Sequence, residues 1–110
     1  MKSTHVLRWS IAGMVFILIA IPAILEKIPP NRWYGFRVGR TLSDERIWYA
    51  ANRVMGIDLL IAGMIIMTGA FITALLIRWN PRRANRTCFL IFLLSLSAAL
   101  AHGYWALGRM

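Results

Sequence analysis

Two titratable side chains stand out because they lie at or inside long apolar stretches of the sequence. Asp58 begins one such stretch, and His102 lies six residues before Gly108 at the end of another. A carboxylate and an imidazole within hydrogen-bonding distance can act as an acid–base pair. Moving an aspartate into hydrocarbon costs at least ~2.5 kcal/mol on insertion scales, so we expect Asp58 to have a polar partner. Either the two residues line a polar pocket, or Asp58 pairs with a neighbour only to fix helix packing.

A second group of chemically capable residues lies between positions 31 and 41. Arg37 and Arg40 alternate there with aromatic residues around Gly35 and Gly39. Arginine forks bind phosphate or carboxylate oxygens through paired hydrogen bonds, and glycine amides can form an anion-binding concavity. The same composition is typical of a segment that only anchors at the lipid headgroups, and that alternative stays open.

The sequence lacks the residues that a disulfide, a metal site or a nucleophilic active site needs. Cys88 is the single cysteine, so an internal disulfide is excluded, and the two histidines are too far apart for a metal-binding motif. The sequence contains no nucleophile motif and no second carboxylate at catalytic spacing. We therefore expect no metal, no cofactor and no catalytic residue, and the sequence favours a protein that is not an enzyme.

Three long apolar spans must position these groups. The 110 residues are 59% hydrophobic and only 15% charged, with a mean hydropathy of +0.61. Soluble domains are about a quarter charged and disordered tails are poor in apolar residues, so both classes are excluded. Each span is close to the ~20 residues that cross ~30 Å of hydrocarbon. We predict a single all-α membrane domain with three transmembrane helices, at about residues 7–26, 55–78 and 87–108.

The segment 27–54, between the first two spans, is predicted to form a structured loop followed by an amphipathic helix. Ser43 and the two acids after it make a good helix N-terminus. A helix that begins there and runs to Ile77 would be ~50 Å long, which exceeds the hydrocarbon thickness, so we expect it to bend near Gly56. Between the second and third spans, residues 78–86 are predicted to form a tight basic hairpin.

The excess of basic residues indicates the partners and the orientation. The net charge of +9 on an apolar chain favours the bilayer and its anionic headgroups over nucleic acid. The N-terminal tail and the second loop share six basic residues and no acid, against seven basic residues on the other side. Four arginines within residues 78–86 are typical of a cytoplasmic anchor. The predicted orientation therefore has the N-terminus inside and the first loop outside.

The first loop also carries a recognisable motif. It consists of Asn31, Tyr34-Gly35-Phe36-Arg37, Arg40-Thr41-Leu42, Trp48, Asn52 and Gly56. These residues resemble the SdpI family of bacterial integral membrane proteins, in which N-x-x-Y-G-[FI]-R is followed by a T-L turn and by W-x-x-x-N on a helix. The resemblance is dense over residues 28–56, and the two following spans are similar in arrangement.

The resemblance implies a function. The best-known SdpI member confers immunity on its producing cell against a secreted killing toxin and holds a repressor at the membrane during signalling. It looks larger than this chain, which resembles only the shared domain. By resemblance we expect a multi-pass protein of the bacterial inner membrane that acts in toxin resistance or envelope-stress signalling through residues 31–56, with a peptide toxin or a regulatory protein as partner.

The candidate ligand- or partner-binding residues combine the motif with the intramembrane pair. They are Asn31, Tyr34, Arg37, Arg40, Thr41, Trp48, Asn52, Asp58 and His102. For Arg37, Arg40 and Asn52, contact with a ligand and hydrogen bonding that only holds the loop together both remain open. The alternative function is a membrane enzyme, a lipid-binding protein or a small transporter, with Arg37, Arg40, Asp58 and His102 forming one polar pocket. Transport through three helices would require a homo-oligomer, which is a further open alternative.

Overall fold

The computed structural model describes residues 4–31 and 35–110, and it is built from helices. In chain order these are α1 (Thr4–Ile24), α2 (Gly39–Ser43), α3 (Glu45–Leu76) and α4 (Pro81–Leu107). Helices α1, α3 and α4 are each long and apolar enough to cross a membrane. The prediction of an all-α protein with three transmembrane helices and a structured segment between the first two is confirmed.

Helix α3 begins slightly later than predicted and then runs without interruption. Asp44 is its N-cap, with Oδ1 accepting from the Arg46 amide at 2.9 Å, whereas the Ser43 hydroxyl donates to Arg40 O at 3.0 Å. The helix continues through Gly56, where we expected a bend, to Leu76. Its 32 residues span about 48 Å, so its first turns extend beyond the ~30 Å of hydrocarbon.

The turn between α3 and α4 is shorter than the predicted basic hairpin. Asn80 caps α4 by accepting from the Arg83 amide at 3.1 Å, and Pro81 occupies the first helical turn, where its missing N–H costs nothing. The hairpin prediction is therefore wrong for most of residues 78–86, because an asparagine followed by a proline starts a helix here. Arg82, Arg83 and Arg86 project from the first turns of α4.

Helix α3 is the centre of the molecule. Helices α1 and α4 both pack antiparallel to it. They contact each other toward their N-terminal ends, where Trp9 donates to Asn85 Oδ1 at 3.0 Å and packs on Phe92. The backbones of α1 and α3 meet directly, because a Cβ atom at Gly13 would lie only 2.6 Å from Gly63 O. The arrangement brings the loop, α2 and the end of α4 to one end of the molecule, the motif end. Arg8 and residues 78–86 lie at the other, the basic end.

Candidate ligand-binding site at the motif end

The loop at the motif end is held by two side chains on the first turns of α3. The buried Asn52 amide accepts from Phe36 N at 2.6 Å and donates to Trp48 O at 2.9 Å. The buried Trp48 indole donates to Ile28 O at 2.8 Å. Because residues four apart share one helix face, both side chains reach the same loop. Their polar atoms are occupied by backbone groups of the protein itself.

Gly35 allows the loop to approach α3 this closely. Its φ of +110° lies in the region that side chains disfavour. A Cβ atom there would lie 2.9 Å from Asn52 Oδ1 and 3.1 Å from the Trp48 ring. The glycine of the motif is therefore required both by backbone conformation and by space.

Thr41 closes the turn that starts α2. Its buried hydroxyl accepts from Val38 N at 2.9 Å. The same oxygen lies 2.8 Å from Phe36 O and 2.9 Å from Val38 O, and its one proton serves either carbonyl. Thr41 thus satisfies backbone groups that the turn would otherwise leave buried without a partner.

The two motif arginines have different environments. Arg40 Nη1 donates at 2.8 Å to Leu107 O, a carbonyl at the end of α4, and so connects α2 to that helix. Arg37 is exposed, and its Nε donates to Asn31 O at 2.9 Å. Asn31 in turn donates its side-chain amide to Pro29 O at 2.9 Å. Within the described residues, the terminal guanidinium nitrogens of Arg37 form no hydrogen bond or ion pair.

A groove of about 450 Å³ lies below this loop, between α1 and α4. It forms because α1 and α4 pack on α3 without closing on each other at this end of the molecule. The volume is within the ~300–1,000 Å³ of typical ligand pockets. The lining is mainly apolar, with Arg37 at the loop side. The lining includes Ile19, Ala23, Ile28, Phe36, Arg37, Asn52, Met55, Leu59, Leu96, Leu100 and Tyr104.

The structure gives Asp58 a polar partner. Asp58 Oδ2 and His102 Nδ1 are 2.7 Å apart, with 14% of the aspartate side chain and 52% of the histidine side chain exposed. The imidazole also stacks on Trp105 at 5.7 Å between ring centroids, and the Arg109 guanidinium lies 5.0 Å from the Trp105 ring centre. A separate cleft of about 230 Å³ between α3 and α4 is lined by this pair and by small residues such as Ser95.

The structure does not form the single polar pocket considered for the alternative function. Arg37 lines the groove between α1 and α4, Arg40 bonds the end of α4, and Asp58 and His102 face the other cleft. The physical reason is helical geometry: Asp58 is six residues after Asn52, which places it about 120° around α3 from the loop-binding face. Tyr34 lies outside the described residues.

The basic end contains a buried polar cluster that the sequence pattern did not predict. The Thr73 hydroxyl lies 3.4 Å from His5 Nε2 and 3.2 Å from the Cys88 sulfur. The three residues come from three helices and are far apart in sequence, so no local spacing indicates the cluster. The groove was not predicted either, because its lining residues also come from separate elements.

Most of the chain matches a known protein family. Residues 27–104 match the SdpI/YfhL protein family. The chain belongs to this family. Membership confirms the resemblance drawn from the loop motif, and with the three apolar helices it indicates a multi-pass membrane protein. All nine candidate residues fall inside the part that matches the SdpI/YfhL family, whereas α1 precedes it.

The chain is also similar to the uncharacterized protein YfhL of Bacillus subtilis (strain 168), with 40% identity over 53 residues. That match covers 44% of this chain and 48% of YfhL, so it spans about half the length of the relative. No solved structure matches the chain.

Proposed function

We propose that the protein protects a bacterial inner membrane against a membrane-active peptide toxin, and that it does so by recognition at residues 31–56. The observation that carries this proposal is the bond from Phe36 N to Asn52 Oδ1, which fixes the residue before the exposed Arg37. A backbone group already held before binding, as Phe36 N is here, loses less conformational entropy when a partner arrives. SdpI/YfhL family membership supports the same function.

Arg37 is the residue that we propose contacts the toxin. It is exposed at the rim of the loop, while Asn52, Trp48 and Thr41 are buried and bonded to backbone groups. A guanidinium fork binds a carboxylate of an acidic side chain or chain terminus with two parallel hydrogen bonds. The buried residues then act by holding the loop, and an external toxin would meet it if the N-terminus is inside.

A killing assay tests the proposal. A sensitive host that expresses the chain is challenged with secreted bacterial peptide toxins, and survival is compared with that of cells carrying Arg37→Ala. We expect the wild type to protect against at least one toxin and Arg37→Ala to lose protection at unchanged protein abundance. Asn52→Ala should lose protection and abundance together, because it leaves the Phe36 amide without its partner.

The matched control is Arg78→Ala, which removes an exposed arginine at the basic end and should protect like the wild type. Absence of protection against every toxin, or equal loss in both arginine variants, would contradict recognition by Arg37. A transcriptional response to the toxin without survival would indicate envelope-stress signalling instead.

The Asp58–His102 pair favours a second candidate, acid–base chemistry on a lipid headgroup. A carboxylate bonded to one imidazole nitrogen orients the ring, and half of the His102 side chain is accessible. Total lipids from cells expressing the wild type or His102→Ala would differ in composition if this pair were catalytic. Identical lipid profiles would exclude this candidate without affecting toxin recognition.

A further inference from the structure

We infer that the groove between α1 and α4 binds one acyl chain of an anionic phospholipid, whose phosphate is bound by Arg37. This goes beyond the proposed toxin recognition, since it concerns a lipid beneath the loop, although both proposals use the Arg37 guanidinium. Three features of the groove support this assignment: its interior, its opening and the charges around it.

The interior of the groove fits a hydrocarbon chain. Asn52 is the polar side chain that α3 contributes to the lining, and both ends of its amide are already bonded, at 2.6 Å to Phe36 N and at 2.9 Å to Trp48 O. The remaining lining below Arg37 is mostly apolar, with Met55 and Leu59 on α3 and Leu96 on α4. A polar occupant would lose its hydration there without gaining partners, so burial favours an apolar one.

The groove opens sideways, where lipid chains are available. Ile19 on α1 and Leu100 on α4 both line it, and about 45% and 44% of their surfaces are exposed. Both residues lie within helices that are long and apolar enough to cross a membrane. A chain of a bilayer lipid can therefore enter between the two helices without leaving the hydrocarbon.

Arg37 selects the charge of the headgroup. Among the neighbouring basic residues, Arg40 is bonded to Leu107 O at 2.8 Å and Arg53 pairs with Glu26 at 3.5 Å. Arg37 lines the groove and engages Asn31 O through Nε, which leaves the outer edge of the guanidinium for a phosphate. The loop lies at the membrane surface in this topology, which is the depth of the phosphodiester.

Native mass spectrometry of the full chain in detergent tests the inference. The probes are dioleoylphosphatidylglycerol and dioleoylphosphatidylcholine, which share their chains and differ in net headgroup charge. We expect one bound phosphatidylglycerol and a preference of about tenfold over phosphatidylcholine. Both lipids carry the phosphodiester that Arg37 binds, but the choline ammonium of phosphatidylcholine is repelled by the guanidinium. Arg37→Gln should abolish the preference while leaving chain binding in place.

A second variant blocks the groove. Leu100→Trp adds bulk to an exposed lining residue and should lower the affinity for both lipids, whereas Leu94→Trp, on the same helix at a residue 71% exposed and outside the groove lining, should change neither. Equal lipid binding by the two tryptophan variants, or equal binding of the two lipids by the wild type, would overturn the inference. Circular dichroism should show equal helicity, and Arg37→Gln provides an arm that adds no bulk to the groove.

The same variants separate this inference from toxin protection. Loss of lipid binding in Leu100→Trp with normal survival in the killing assay would uphold the lipid site and assign it a role apart from recognition. Unchanged lipid binding overturns the lipid site whatever the killing assay shows. If the wild type protects against no toxin, the toxin proposal fails, and the mass-spectrometric result still decides the lipid site.

Discussion

At the scale of single residues, most of the motif builds the loop itself. Asn52, Trp48 and Thr41 direct their polar atoms to backbone groups within the segment 28–52, and Arg40 bonds the end of α4. From the sequence, holding the loop and contacting a ligand were equally acceptable interpretations, because both need donors at fixed positions. The structure separates them by burial for Asn52, Trp48 and Thr41. Arg37 and Arg40 are both exposed, but Arg40 is bonded to Leu107 O, whereas Arg37 engages Asn31 O only through Nε.

The conformation of the loop depends most strongly on Gly35. Gly35→Ala should lower the free energy of unfolding by about 1–3 kcal/mol, because φ stays positive and the new methyl group meets Asn52 and Trp48. Thermal unfolding in detergent, followed by tryptophan fluorescence, measures the change. Gly39→Ala is the matched control, since a Cβ atom there meets nothing within 4 Å. Equal stability of the two variants would show that the loop adapts freely.

At the scale of elements, the central position of α3 follows from small residues on its faces. Gly63 meets the backbone of α1 and Gly69 meets a side chain of α4. Close backbone approach is what stabilises helix pairs in a bilayer, where burial of apolar side chains contributes little. The groove at the motif end exists because α1 and α4 both pack on α3 and leave a gap between themselves.

The two glycines of α3 predict different responses to the same substitution. Gly63→Ala places a methyl group 2.6 Å from Gly13 O, which is backbone, and should separate α1 from α3 at a cost of about 1–3 kcal/mol. Gly69→Ala meets the flexible end of Ile91 at 2.8 Å and should be tolerated better. Unfolding by denaturant in detergent compares the two variants. A larger loss of stability for Gly69→Ala would contradict this account of helix packing.

At the scale of the whole molecule, antiparallel packing sorts the charges into two ends. The described acidic residues Glu26, Asp44, Glu45 and Asp58 lie toward the motif end, which also carries several arginines. The basic end has Arg8 and the arginines of residues 78–86, and no acid among its described residues. The density of four arginines within residues 78–86 favours the cytoplasmic side for this end, and the orientation with the N-terminus inside stays a prediction.

Cysteine labelling of intact cells measures this orientation. In a Cys88→Ala background, Ser43→Cys at the motif end should react with a membrane-impermeant maleimide added outside. Trp79→Cys, exposed in the turn between α3 and α4, should react only after permeabilisation. The opposite pattern would place the loop in the cytoplasm and would remove external toxins from its reach.

The sequence by itself determined the membrane class, the three spanning helices and the position of the motif. These follow from composition, from the length of apolar runs and from residues close together in the chain. It also predicted a helix start near Ser43 within two residues, because capping acts locally. It mislocated the start of α4. The arginines after Pro81 suggested a loop, but Asn80 and Pro81 start the helix before them.

Only the tertiary structure decided which residues share a surface. The groove joins α1, the loop, α3 and α4, and the pairing of Asp58 with His102 joins residues 44 apart. It also placed Arg37 and the Asp58–His102 pair in different clefts, whereas the alternative function requires them in one polar pocket. The physical reason is rotation about the α3 axis: a few residues of sequence separation turn a side chain to another face, and contacts between helices then fix what that face meets.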